Sequence, residues 1–230
     1  MTGNVLREAR RSAQMTQAAA ACKLGVSQPL LAAMENNTRS ITSAVAVRVV
    51  SALGVSPVHL PFTSSVSSEE VLAGNLAALG YPGFSHLSGE LRNPAEVLFD
   101  ALNREQLDAR LVEALPWLPL EYSEMDWKWL YDQARRHNRQ NRLGFVLMLS
   151  AKVALTRSQR QVSSKLYQAL KPFYEARLAK CDTLCQASWP ATMRTYAHSK
   201  RSKLAAYWNL DTRLQESDLA LFEDRRNKQA

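Results

Sequence analysis

Apolar side chains recur in the chain at the three- and four-residue spacing of amphipathic helices. Thr16 can cap a first helix, and Gly25 can end it because glycine adopts left-handed backbone geometry readily. Its inner face would hold Ala20, Ala21 and Leu24. The spacing therefore predicts a short helix that stops at a sharp turn.

A second helix is predicted directly after this turn. Ser27 is a suitable cap, and Pro29 is tolerated in a first helical turn because that turn needs no backbone donor there. The inner face of this helix would hold Leu30, Leu31 and Met34.

The next apolar segment is ambiguous between helix and strand. Residues 46, 49, 50 and 53 have helical spacing and are followed by Gly54, whereas valines at 45, 47 and 49 alternate as in a strand. Helix is favoured because the neighbouring segments are helical.

Beyond residue 92 the pattern stays helical. Asn93-Pro94-Ala95-Glu96 resembles a capping box, and no Asn-Gly or Asp-Gly hairpin signal occurs. Further helices are predicted over 126–138, 141–155, roughly 158–185 and 193–208, with Pro172 kinking or dividing the third. The predicted fold class is all-α.

A serine-rich stretch at 63–68 divides the chain. We expect a first domain at 1–62, a linker and turn region at 63–92, and an all-α dimerisation or partner-binding domain at 93–230.

Composition excludes wholly disordered and fibrous proteins, since 46% of the 230 residues are hydrophobic and 22% are charged. The net charge of +8 is uneven: residues 1–62 hold six basic and two acidic side chains, and residues 63–120 hold three and eight. The basic first segment suits an acidic partner such as nucleic acid.

No apolar run approaches the roughly 20 residues of a membrane helix, and no secretory signal precedes the first helix. Three scattered cysteines form no disulfide framework. We expect a cytoplasmic protein without membrane contact.

The helix, glycine turn and second helix resemble the Xre/Cro-like helix-turn-helix family over about Val5 to Leu60. The matching landmarks are Arg10, Gln17, Ala21, Gly25, Ser27 and Glu35. The resemblance implies a five-helix DNA-binding domain whose recognition helix, Ser27 to Glu35, enters the major groove.

The resemblance also implies roles for individual residues. Arg10 and Glu35 would form a structural ion pair, and Gln17, beside Thr16 at a helix N-terminus, would bind a DNA phosphate. Gln28 can read adenine through two hydrogen bonds. Phosphate contacts in the following loop would come from Asn36, Asn37 and Arg39.

The sequence departs from the family pattern at base-reading positions. Apolar or small residues stand where polar readers are usual, namely Pro29, Leu30, Ala32 and Ala33. Pro29 or Leu30 could contact a thymine methyl group. Ala20 stands where a larger leucine is usual, and Asn37 replaces glycine. The alternative to DNA binding is a helix-turn-helix fold kept for protein contacts.

The remaining chain is similar to helical regulators encoded beside nucleotidyltransferase toxins of the abortive-infection type. The similarity rests on segments such as 93–98, 112–117, 126–129, 141–146, 182–185 and 207–210. It implies an antitoxin or operon regulator with a co-encoded nucleotidyltransferase-type toxin as partner. An ordinary helical core and dimerisation domain is the alternative.

Arg135, Arg139 and Arg142 are spaced to form one basic stripe if their helix is continuous. Such a stripe could meet DNA, RNA or an acidic protein. A solvated helix face is the alternative, and Asn138 could interrupt the helix.

The sequence predicts no enzyme, no cofactor and no metal site. Cys181, Cys185 and His198 do not provide the four ligands of a structural zinc site. No nucleophile, base and orienting group can be assembled.

We therefore predict a homodimeric, sequence-specific transcriptional regulator that represses its own operon and serves as an antitoxin. The alternative is an interaction module that acts mainly by protein contact.

Overall fold

The structure is a computed structural model that describes residues 1–63 and 68–222. The described residues fall into two compact units, one of 1–63 with 91–93 and one of 68–90 with 94–222. Residues 64–67 of the predicted serine-rich linker lie outside the described residues.

The region expected to contain only linker and turns, 63–92, also holds a helix. This helix, Glu69–Ala78, is capped by Ser68 and buries Leu72 and Leu76. The prediction overlooked a serine cap followed by two acidic residues and an i, i+4 apolar pair, which together favour a helix start.

The first unit is built from four α-helices: α1 (Gly3–Ser12), α2 (Gln17–Leu24), α3 (Gln28–Glu35) and α4 (Ser43–Leu53). The strand alternative for the valine-rich segment is wrong, because Val45, Ala46, Val49 and Val50 are buried along one side of α4. The expected fifth helix is reduced to a single 3-10 turn at Pro57–His59.

The core of the first unit forms where the four helices meet. Its buried members are Leu6, Ala20, Ala21, Leu24, Leu31, Met34, Val45 and Val49. α1 starts directly against the end of α3: a Cβ on Gly3 would lie 2.1 Å from the carbonyl oxygen of Met34. Only glycine permits this approach.

The second unit contains the longer helices of the chain. They are α5 (Glu69–Ala78), α6 (Pro94–Leu102), α7 (Ala109–Ala114), α8 (Trp117–Glu121), α9 (Trp127–Arg136), α10 (Gln140–Thr156), α11 (Arg160–Glu175), α12 (Ala191–Lys200) and α13 (Lys203–Tyr207). α10 is buried along most of its length, and α6, α8, α9, α11 and α13 pack around it.

Two predicted helices of the second unit were too long. The helix expected over 158–185 ends at Glu175, and the one expected over 193–208 is divided into α12 and α13. The side-chain amide of Asn141 explains why the chain after α11 is not helical, because it bonds to the backbone of Leu178. Asn141 Oδ1 accepts from the Leu178 N–H at 2.8 Å, and Asn141 Nδ2 donates to the Leu178 carbonyl at 2.9 Å. Pro172 lies inside α11.

The extended segment leads into a two-residue strand, β1 (Asp182–Thr183), which pairs in parallel with β2 (Leu210–Asp211). Asp182 lies opposite Leu210, and Thr183 lies opposite Asp211. The described chain is otherwise helical, and the all-α prediction is confirmed. Among residues 1–63 and 68–222, no helix combines the length and apolar character needed to cross a membrane.

Candidate nucleic-acid interface

α2 and α3 meet at a tight turn with the caps that the sequence predicted. Thr16 Oγ1 accepts a hydrogen bond from the Ala19 N–H at 3.1 Å, and Ser27 Oγ accepts one from the Leu30 N–H at 3.3 Å. Gly25 has a φ of 63°, so α2 ends in left-handed geometry. These local features fix the angle between the two helices.

A fully buried carboxylate connects this helix pair to α1. Both Glu35 oxygens accept from the Arg10 guanidinium, Oε1 from Nε at 2.6 Å and Oε2 from Nη2 at 3.1 Å. Arg10 also donates to the carbonyl of Met15 at 2.8 Å. The expected pairing of these two residues is therefore present as a bidentate contact between the end of α3 and α1.

Both members of this pair are held in their charged forms. Burial alone would raise the pKa of Glu35, but hydrogen bonds from Arg10 and Gln17 outweigh it and the pKa is lowered. The hydrogen bond to Glu35 raises the pKa of Arg10. The pair therefore stays ionised at neutral pH.

Gln17 belongs to the same network. Its Nε2 donates to Glu35 Oε2 at 3.0 Å, so one amide hydrogen is used inside the domain. The sequence reasoning assigned Gln17 to a phosphate and overlooked this bond. A primary amide has a second hydrogen, and Gln17 is only half-buried, so both contacts are compatible.

Arg7 is a further member of this network that the sequence reasoning overlooked. It donates through Nη2 to the Glu35 carbonyl at 2.8 Å and to Asn36 Oδ1 at 2.5 Å. The available signal was its position three residues before Arg10, which places both arginines on one side of α1.

The loop after α3 is tied back to α1 through its asparagines. Asn37 has a φ of 56°, the left-handed geometry expected where it replaces glycine, and its Oδ1 accepts from the Gly3 N–H at 2.8 Å. These bonds use the oxygens of Asn36 and Asn37, so their NH₂ groups are the donors that a phosphate would meet.

The face of α3 opposite the core begins with four exposed residues, Ser27, Gln28, Pro29 and Leu30. The prediction that Leu30 lies on the inner face is wrong, because Leu31 and Met34 fill the core while Leu30 is 36% exposed. Ala32 and Ala33 are half-buried, and Arg39 is exposed in the loop beyond. Gln28 is thus the long polar side chain among these α3 positions. Exposed cations elsewhere on the unit include Arg11, Lys23 and Arg48.

In the second unit, the three arginines expected to share a stripe do not form one exposed surface. α9 ends at Arg136, and Asn138 adopts left-handed geometry with a φ of 55° before α10 begins. Arg135 remains exposed, whereas Arg142 is fully buried. Asn138 therefore interrupts the helix on which the stripe depended.

Arg142 is instead the centre of a buried polar cluster. It contacts both carboxylate oxygens of Asp182, at 2.7 Å through Nε and 3.0 Å through Nη2. Its Nη1 donates to the carbonyls of Leu102 at 3.0 Å and Arg104 at 2.5 Å. Arg139 pairs with the exposed Glu105.

Comparison with known proteins bears on the first unit alone. Residues 6–60 match the family model described as Helix-turn-helix. Curated proteins and solved structures gave no significant match. The first unit is therefore a helix-turn-helix domain, the fold on which DNA-binding transcription regulators carry their recognition helix.

Proposed function

We propose that the protein is a homodimeric, sequence-specific transcriptional regulator that binds an operator in its own promoter. The observation that carries this proposal is the exposed start of α3, Ser27 to Leu30, on a helix that buried contacts hold rigidly. An α-helix with its side chains is about 10–12 Å in diameter and fits the major groove, which is about 12 Å wide.

The chemistry of this exposed turn supports limited base reading. Gln28 would accept from N6 and donate to N7 of one adenine, and Leu30 would contact a thymine methyl group. Phosphate contacts from the α2 N-terminus and from Arg39 would position the helix. Because one domain reads so few bases, specificity requires two half-sites, about 34–36 Å apart on a dimer.

The direct test is binding of the full chain to DNA from upstream of its own gene, by gel shift at several salt concentrations. Gln28→Ala should relax preference at one base pair of each half-site, at a cost of about 1–3 kcal/mol. Gln161→Ala, an exposed glutamine of α11, is the matched control. Equal affinity for operator and random DNA at every salt concentration would contradict specific regulation.

Arg39 should act through phosphate alone. Arg39→Ala is expected to weaken binding to all sequences alike and to reduce the slope of log affinity against log salt by about 1. Titrations of operator and random DNA would measure this slope, with exposed Arg110→Ala as the control. A change confined to the operator would show that Arg39 reads a base.

The apolar character of the same surface supports a second candidate function, an antitoxin that neutralises a co-encoded toxin by direct contact. Leu30 is 36% exposed next to exposed Pro29, a combination more typical of a protein contact than of base reading. Co-purification with the adjacent gene product would support it. If the Leu30→Asp variant loses toxin binding while the Gln28→Ala variant keeps it, the exposed surface of α3 binds the toxin through its apolar side chains.

A further inference from the structure

We propose that Cys181, His198 and Asp211 of the second unit form a binding site for a divalent transition metal, with zinc the preferred ion. This site is separate from the helix-turn-helix domain and does not depend on the proposed DNA binding. A bound metal would join the start of β1, the end of β2 and the end of α12, and would thereby stabilise the second unit or make it responsive to metal concentration.

The strand pairing brings the three residues together. Cys181 immediately precedes β1, and Asp211 ends β2 opposite Thr183. Because side chains two residues apart along a strand lie on one face, Cys181 and Thr183 are on the same face of the pair as Asp211. His198 comes from the last turn of α12. One potential ligand atom from each residue lies within 4.8 Å of the others, and His198 Nδ1 is 2.8 Å from Asp211 Oδ1.

The donor set suits zinc. Thiolate, imidazole and carboxylate are its three common protein ligands, and they bind at about 2.0–2.3 Å. Donors of a tetrahedral site then lie roughly 3.3–3.8 Å apart. The three groups already lie within 4.8 Å of one another, and His198 Nδ1 and Asp211 Oδ1, at 2.8 Å, would have to move slightly apart. Cys181 and His198 are both exposed and can make this adjustment. Binding would release the thiol proton to solvent, and the metal would take the place of the direct contact between His198 Nδ1 and Asp211 Oδ1.

Three protein ligands leave one coordination position open. Structural zinc sites have four protein ligands, whereas sites with three hold water or an exchangeable ligand in the fourth position. The other cysteine nearby does not complete the set: Cys185 is buried, with its Sγ 3.4 Å from the Ala101 carbonyl oxygen. The open position therefore faces solvent, where ions can exchange.

A cation already lies against these ligands. Arg201 Nη1 is 3.4 Å from Asp211 Oδ1 and 3.7 Å from Cys181 Sγ. The guanidinium competes with a metal for the same negative charge, and it must swing away on its long side chain when a metal binds. Arg201→Ala should therefore strengthen metal binding, by at least about tenfold given the repulsion between close like charges.

The test is a titration of the metal-free, reduced full chain with Co²⁺ and then with Zn²⁺. We expect one ion per chain, a thiolate-to-cobalt charge-transfer band and displacement of Co²⁺ by Zn²⁺. Cys181→Ser should abolish the band, and His198→Ala and Asp211→Asn should each weaken binding at least about 100-fold. Cys22→Ser, which removes the exposed cysteine of the first unit, is the matched control and should leave the band unchanged.

Two results would overturn the proposal. One is the absence of stoichiometric Co²⁺ binding in both the unmodified chain and Arg201→Ala, since the second variant removes the competitor. The other is a charge-transfer band that persists in Cys181→Ser. Circular dichroism of each variant establishes that lost binding does not reflect unfolding.

Discussion

Arg142→Met is expected to lower the free energy of unfolding of the second unit by about 3–5 kcal/mol. Arg142 is fully buried, and its guanidinium is the donor for both oxygens of Asp182 and for the carbonyls of Leu102 and Arg104. Methionine fills much of the same volume but donates nothing. These acceptors would lose that donor, and the half-buried Asp182 would lose its nearer counter-charge, leaving only Arg139 Nη1 at 3.8 Å.

Tryptophan fluorescence during urea unfolding measures this loss selectively, because every tryptophan of the chain comes after residue 116. Arg136→Met, at an exposed arginine of α9, is the control and should cost less than about 1 kcal/mol. If Arg142→Met lowers the free energy of unfolding by no more than the control does, Arg142 is not the central contact of the cluster.

Glu35→Gln is expected to destabilise the first unit by about 3 kcal/mol. The substitution keeps the shape of the side chain but removes the charge that pairs with the largely buried Arg10. Hydrogen exchange of the α1 and α3 amides reports on this unit, which contains no tryptophan. Glu8→Gln, exposed on α1, is the control and should leave exchange unchanged.

The same substitution has a defined pH signature. The pKa of Glu35 is lowered in the folded domain, so its contribution to stability is complete above the unfolded pKa of about 4.3. The contribution is lost as the pH falls through the lower folded pKa. Glu35→Gln should therefore reduce the acid sensitivity of α1 and α3 exchange. Equal acid sensitivity in both proteins would exclude Glu35 as its source.

The helix-turn-helix could be predicted because its signals are local. The caps at Thr16 and Ser27 and the turn at Gly25 each depend on residues within one helical turn, and the structure has all three. Gln17 was harder to interpret. Its bond to Glu35 joins positions 18 residues apart, and spacing along the chain does not reveal such a contact.

The second unit shows where periodicity fails. Apolar residues keep a helical spacing past Glu175, yet the helix ends there. Asn141, 37 residues before Leu178, forms hydrogen bonds with the backbone N–H and carbonyl of Leu178 in place of helical partners. Arg142 looked like part of a basic face because its acidic partner Asp182 lies 40 residues further on. The sequence likewise offered Cys181 and His198 but not Asp211, which only the pairing of β1 with β2 brings alongside.

The single carboxylate of Glu35 has a thermodynamic consequence for recognition. Its hydrogen bonds join α1, the start of α2 and the end of α3, so contacts within the domain itself set the orientation of α3. Binding then requires little loss of conformational entropy within the domain. Under the proposed function, a surface with few base-reading side chains would then lose little of its contact energy to ordering the domain.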